Sequence, residues 1–221
     1  MSGSKWRFAL SEKLLHSAMG PELVTKRLIL RPLRTMDAFS WQEVRLRCAE
    51  WLIPWEPLRP LGGANPETSR PAFDARCEQR DRERAMGTSY GFGIFENNRF
   101  IGECNINNVQ RGAMQGGYVG YWIDQSRAGN GFMPESVAAV FRFAFEDLGL
   151  HRLQVSIIPR NAASRSVATK LCLRDEGIAE RYIEINGIWE DHVRYAITSE
   201  EWTVRRDEFL ARYFVSESPE R

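Results

Sequence analysis

The sequence predicts an α+β chain with a mostly antiparallel sheet of mixed direction, and three observations predict it. Strand patterns come as neighbours joined by tight-turn dipeptides, Asn97-Asn98 and Asn186-Gly187. One helical run, 134–147, stands between a strand and a later strand, as a parallel crossover requires. At 221 residues the chain suits one domain of ordinary size with a real core.

Each element has a local reason. "TKRLILRPL" (25–33) sets Leu28 and Leu30 against Arg27, Ile29 and Arg31 and reads as a strand closed by Pro32. Residues 36–52 read as a helix that stops at "IPWEP" (53–57), where two prolines force an irregular turn. Residues 64–86 open on proline signals and become a charged helix with a solvated face. Strands 89–96 and 99–109 form a hairpin, and 116–124 is a third strand. In helix 134–147, Val137, Val140, Phe141, Ala144, Phe145 and Leu148 make one apolar stripe. Pro134 suits the first turn, and Glu135 suits the positive end of the dipole. Residues 153–159 form a β-branched strand, and 161–172 a helix capped by Asn161. A hairpin over 179–187 and 188–198 follows, then a helix over 199–213 and a frayed end.

Composition excludes several classes. Thirty basic residues stand against 29 acidic ones, so bulk charge gives no reason to expect direct nucleic-acid binding. Cys48, Cys77, Cys104 and Cys172 are scattered, as are His16, His151 and His192, which speaks against a disulfide framework and against a metal site. No apolar stretch approaches the ~18 residues of a membrane span, and the N-terminus lacks a signal-peptide pattern. No membrane association is expected, and a reducing cytoplasm is the expected location.

The start of helix 134–147 poses a chemical question. Gly131 is a tolerable cap, Phe132 and Met133 are poor ones, and Asn130 lies too early. A strand, two glycines at 129 and 131 and a helix start together make an anion site, with the glycines allowing close backbone approach. A plain strand-to-helix turn is the alternative. The dinucleotide and Walker loops are excluded, because Pro134 stands where further glycine is needed and no Gly-Lys-Ser/Thr follows.

The stretch Ala128-Gly129-Asn130-Gly131-Phe132-Met133 resembles the Q/R-x-x-G-x-G/A pyrophosphate loop of the GNAT superfamily of acyl-CoA N-acyltransferases. Ala128 replaces the Gln/Arg, with Arg127 one residue early, and Met133 replaces the final Gly/Ala, as the RimJ branch allows. The resemblance runs over 23–198. "TKRLILRPL" and "WLIPWEP" resemble RimJ/RimL segments, as do "NAASRSVATKLC" and "EGIAERYIEINGIWEDHVRYAI". Cys172 stands where a glycine is usual and Leu173 where a phenylalanine is usual, read as packing changes. The organisation implied is an N-terminal extension (1–22), a GNAT domain (23–198) and a C-terminal helix and tail (199–221). The fold implied is the GNAT fold, its sheet splayed at the centre and flanked by helices.

The resemblance implies that acetyl-CoA caps the helix, its pyrophosphate held by amides of 128–133, with no metal. It implies that the backbone of Tyr121, Trp122 and Ile123 binds the acetyl and pantetheine groups and that Asn161 touches pantetheine, a role its helix cap permits. Ser164, at N-x-x-S, would meet the leaving thiolate; a helix-surface serine is the alternative. Direct transfer also needs a base. Glu103 on a central strand is the first candidate, followed by Glu184 and Asp191. Trp51, Trp55 and Trp189 would wall the acceptor pocket, unless they serve packing alone. The activity implied is acetyl transfer to the α-amine of a protein or peptide, ribosomal proteins being the named substrates, by a monomer or homodimer. The alternatives are a small-amine acetyltransferase and a catalytically silent acyl-CoA-binding protein.

Overall fold

A computed structural model describes residues 20–58 and 62–215. Residues 1–19 of the expected extension and the expected frayed end at 216–221 lie outside the described residues. The strands are β1 (Leu23–Val24), β2 (Ile29–Arg31), β3 (Tyr90–Glu96), β4 (Arg99–Gln110), β5 (Gly116–Ile123), β6 (Arg152–Ile157), β7 (Arg174–Ile185) and β8 (Ile188–Thr198). They form a single mixed sheet in the order β1-β2-β3-β4-β5-β6-β8-β7. The helices are α1 (Ala38–Arg47), α2 (Ala49–Leu52), α3 (Arg70–Ala85), α4 (Phe132–Arg142), α5 (Ala162–Lys170) and α6 (Ser199–Tyr213). The expected α+β class and its single parallel crossover are both present.

Turn chemistry accounts for the hairpins. Asn97 and Asn98 have φ of 48° and 64°, and Asn186 and Gly187 have 47° and 83°, the left-handed pairs that a two-residue hairpin turn needs. Four boundaries differ from expectation. Strand 25–33 is interrupted, because Thr25–Leu28 turn between β1 and β2, with Thr25 N–H donating to Leu28 O at 2.9 Å. Helix 36–52 divides at Cys48 into α1 and α2. β7 begins at Arg174 rather than 179, and bulges offset its pairing with β8. The helix expected at 134 begins at Phe132 and passes into a π-turn over Phe143–Asp147, where Leu148 N–H bonds Phe143 O.

α4 is buried all round rather than along one stripe, and Ser136 and Ala138 are as covered as Val137. Phe143 meets Tyr90 and Phe92 edge-on from the sheet, while Phe141 and Phe145 meet Phe209 and Trp202 of α6. Coverage by sheet and α6 together is what buries both sides. On the other face of the sheet, α1 and α3 place Trp41 and Phe73 over a second cluster containing Phe95 and Phe100.

The site is created by a fork. β5 and β6 pair in parallel only at Gly116↔Arg152, Gly117↔Leu153 and Tyr118↔Gln154. Beyond Tyr118 the two strands run on without pairing each other, which is the expected central splay.

Candidate active site

β5 leads into the loop through Asp124, a fully buried carboxylate that accepts from Ser126 N–H at 2.9 Å and from both terminal nitrogens of Arg47 at 2.9 Å. Burial alone would raise its pKa, but the Arg47 and Ser126 hydrogen bonds outweigh burial and hold it well below the usual carboxylate range. The loop start is therefore bolted to α1. Its far end is held by Arg27, which donates to Asn130 O at 3.0 Å and to Glu135 Oε2 at 2.7 Å. Glu135 is 2% exposed and also accepts from Thr25 Oγ1 and Arg27 N–H, at 2.7 and 3.0 Å. The residue expected merely to suit the helix dipole thus ties the β1–β2 turn to α4.

Gly131 is the N-cap of α4, at φ 77°, and no side chain caps the helix. Pro134 in the first turn has no N–H, so Phe132 and Met133 carry the open amides of that turn. A Cβ at Gly129 would meet nothing within 4 Å, which leaves open space against the backbone there. Such a cradle fits an anionic group.

Across the fork stands α5. Asn161 Oδ1 accepts from Ser164 N–H at 3.0 Å, the expected cap, and the Tyr121 hydroxyl donates to Ser164 O at 3.3 Å. Burial pushes the Tyr121 phenol upward, so it stays protonated.

A cavity of about 610 Å³ joins these parts. Its lining takes in the loop at Ala128, Gly129 and Gly131, with Phe132 and Met133. It also takes in Tyr121, Trp122 and Ile123 of β5, with Asn161 and Ser164. Trp51, Trp55 and Glu56 line it as well. The structure therefore brings together every cofactor residue expected from the sequence except Asn130, which sits in the same loop and bonds its backbone instead.

The expected bases fare differently. Glu103 is 2% exposed and lies outside the cavity lining. Trp41 Nε1 donates to one of its oxygens at 2.6 Å, and Arg76 donates to the other at 2.7 Å. Burial would raise its pKa, yet the Arg76 charge and the two hydrogen bonds prevail and keep it low. With both oxygens engaged it is a clamp between the sheet, α1 and α3, which corrects its expected place as first base. Glu184 and Asp191 are exposed on the hairpin, and Asp191 accepts from Arg181 N–H at 2.8 Å. Trp189 is 60% exposed and away from the cavity, unlike Trp51 and Trp55.

Sequence reasoning passed over Glu56, the one carboxylate in the cavity lining. Its signal was present in "WLIPWEP". Arg45 holds it in a two-pronged ion pair at 2.6 Å on each oxygen, and Asn186 N–H bonds its carbonyl at 3.0 Å. At the cationic side of the cavity, Arg160 reaches Glu190 at 2.7 Å and lies over the Trp55 ring.

Comparison with known proteins agrees with this geometry. The acetyltransferase (GNAT) domain family matches residues 27–174. The chain is 32% identical over 186 residues to the ribosomal protein uS5-alanine N-acetyltransferase of Escherichia coli, covering 83% of this chain and 94% of that protein. It is 32% identical over 174 residues to the probable N-acetyltransferase YjcK of Bacillus subtilis, covering 78% and 94%. Among solved structures, Mycobacterium smegmatis RimJ in complex with CoA-disulfide superposes with a TM-score of 0.78 at 31% identity, covering 88% of this chain and 95% of that one.

Proposed function

The chain belongs to the GNAT acetyltransferase family and is an N-acetyltransferase, and from that premise we propose that it carries the acetyl group of acetyl-CoA to the α-amine of a protein N-terminus. Ribosomal proteins in the cytoplasm are the proposed acceptors, as the uS5-alanine N-acetyltransferase of E. coli suggests. The observation that carries the reading is the single cavity in which an uncapped helix start and a pair of tryptophans with a carboxylate meet through the fork.

In this reading the amides of Ala128 to Met133 hold the pyrophosphate, and the unpaired edge of β5 at Tyr121–Ile123 holds the pantetheine and acetyl amides. Acetyl-CoA supplies the thioester carbonyl that the amine attacks. As the C–N bond forms and the thioester C–S bond breaks, the Ser164 hydroxyl gives its proton to the departing thiolate. It regains one that the amine sheds, with Tyr121 fixing the backbone at Ser164. Glu56 draws the acceptor's ammonium to the tryptophan end, since a carboxylate keeps further acceptor sites after pairing with arginine. An α-amine has a pKa near ~8 and is partly neutral at cellular pH, whereas a lysine amine near ~10 needs a strong base that the cavity lining does not offer.

The test is a competition for acetyl-CoA between two peptides. One has a free N-terminal alanine and no lysine, and the other is N-terminally blocked with one lysine. Faster acetylation of the first is expected; faster acetylation of the second, or of a polyamine, overturns the reading.

A further inference from the structure

Arg27 stands at the open start of α4, although it comes from the β1–β2 turn, more than a hundred positions earlier. Its guanidinium lies over the Phe132 ring, 4.5 Å from the centroid, and its Nη1 donates to Asn130 O at 3.0 Å. A Cβ on Gly131 would come within 3.5 Å of its Nη2. One cation thus covers three consecutive residues of the loop. The same guanidinium meets Glu135 Oε2 through Nε at 2.7 Å and through Nη2 at 2.6 Å. Arg27 remains half-exposed, whereas Glu135 is buried.

Glu135 works against the phosphate cradle if its charge is left alone. It lies in the first turn of α4, with its N–H on Gly131 O at 3.4 Å. A carboxylate there draws on the same positive helix end as an incoming phosphate, and the two anions repel. Burial sharpens the repulsion, because salt screens a buried charge poorly. Yet the fold uses Glu135, since Thr25 Oγ1 and the Arg27 N–H both donate to its Oε1 and hold the β1–β2 turn. A cation fixed against its other oxygen reconciles the two demands.

We propose that Arg27 is the positioning residue of the phosphate cradle. It cancels the charge of Glu135 and pins the loop through Asn130 O, which leaves the Phe132 and Met133 amides to the pyrophosphate. The inference rests on the reading in which loop 128–133 receives the pyrophosphate of acetyl-CoA. Arg27 lies outside the cavity lining and acts through the loop, not on the reacting atoms.

Two substitutions separate charge from shape, because they break one ion pair from opposite sides. Arg27→Gln leaves the Glu135 charge uncancelled and should raise the CoA Kd measured by calorimetry at least ~10-fold, a modest share of what a unit charge exerts at short range. Glu135→Gln keeps an oxygen for Thr25 and leaves Arg27 in excess, so it should lower that Kd ~3-fold. A tie that serves shape alone would weaken binding in both variants. That result overturns the inference, as does an unchanged Kd in both. Thermal melting shows whether each variant is folded. Each carries its own sign, so failure of one to fold leaves the other decisive.

Acetyl-pantetheine, which lacks the pyrophosphate, is the control substrate. The ratio of kcat/KM for acetyl-CoA to that for acetyl-pantetheine should fall in Arg27→Gln and rise in Glu135→Gln. Equal losses for the two thioesters mean general damage and overturn the inference. A native enzyme that takes acetyl-pantetheine as readily as acetyl-CoA overturns the pyrophosphate reading and the inference with it. A strong native preference for acetyl-CoA that neither substitution moves upholds the reading and overturns the inference alone.

Discussion

Cys172 has φ of 48°, a left-handed conformation that costs a side chain about 1–2 kcal/mol. It follows the C-cap of α5, with its N–H on Thr169 O and the Leu173 N–H on Ala168 O. This is the position where helices favour glycine, so the departure read from sequence as a packing change is a backbone one. Cys172→Gly is expected to stabilise the fold by ~0.5–1 kcal/mol, the relief of strain less the added chain entropy. Denaturant midpoints with an unchanged slope check it. Gly131 shows the opposite case. It adopts a φ of 77°, and a carboxylate there would face the proposed pyrophosphate position, so Gly131→Glu should abolish CoA binding measured by calorimetry. Ser164→Ala should lower turnover ~10²-fold while leaving CoA affinity nearly unchanged, which separates a proton donor from a binding residue. Unchanged turnover would return Ser164 to the helix surface, and equal losses in both quantities would make it a binding residue.

Between elements, Glu103 with Trp41 and Arg76 ties together β4, α1 and α3, one residue from each. Glu103→Gln leaves Arg76 without its charge partner and should destabilise by ~3 kcal/mol at neutral pH. The folded-state pKa of Glu103 is depressed, so its stabilisation is present above the unfolded value near ~4.3 and is lost as pH falls through the folded value. The gap between native and variant stabilities should therefore hold from pH 7 to about pH 5 and close below that. A gap independent of pH would show that shape, not charge, is at stake. The elements themselves were largely legible, because Asn97-Asn98, Asn186-Gly187 and the Asn161 cap are local signals. The break of strand 25–33 was not. It is set by bonds from Thr25 and Arg27 to Glu135, more than a hundred positions away, and no local pattern announces them. The site divides the same way. Loop 128–133 and Asn161 announce their local geometry in adjacent residues, whereas the place of Glu56 in the cavity comes only from strands and helices that meet in space.

Across the whole molecule, the two halves of the sheet, β1 to β5 and β6 to β7, share a strand ladder of three parallel residue pairs. α4 bridges them from behind, and the cavity lies in the gap with loop and β5 residues on one wall and α5 residues on the other. A molecule that fills the cavity therefore joins the halves where the backbone does not. Binding to the folded state alone should raise stability by ~2.7 kcal/mol at a hundred times Kd. For a chain of this size that is roughly 5–10 °C in melting temperature. An ATP control tests whether phosphate chemistry alone suffices. Where the added protection appears is more telling than its size. Hydrogen exchange should slow most at those amides of Tyr121–Ile123 that point away from β4 to the open edge of β5, and at the amides of Phe132 and Met133 in the uncapped first turn of α4. The Glu103 clamp, already complete, should change little. Protection spread evenly over both halves, with none concentrated at the fork, would mean that CoA binds elsewhere and that the open start of α4 is only a turn.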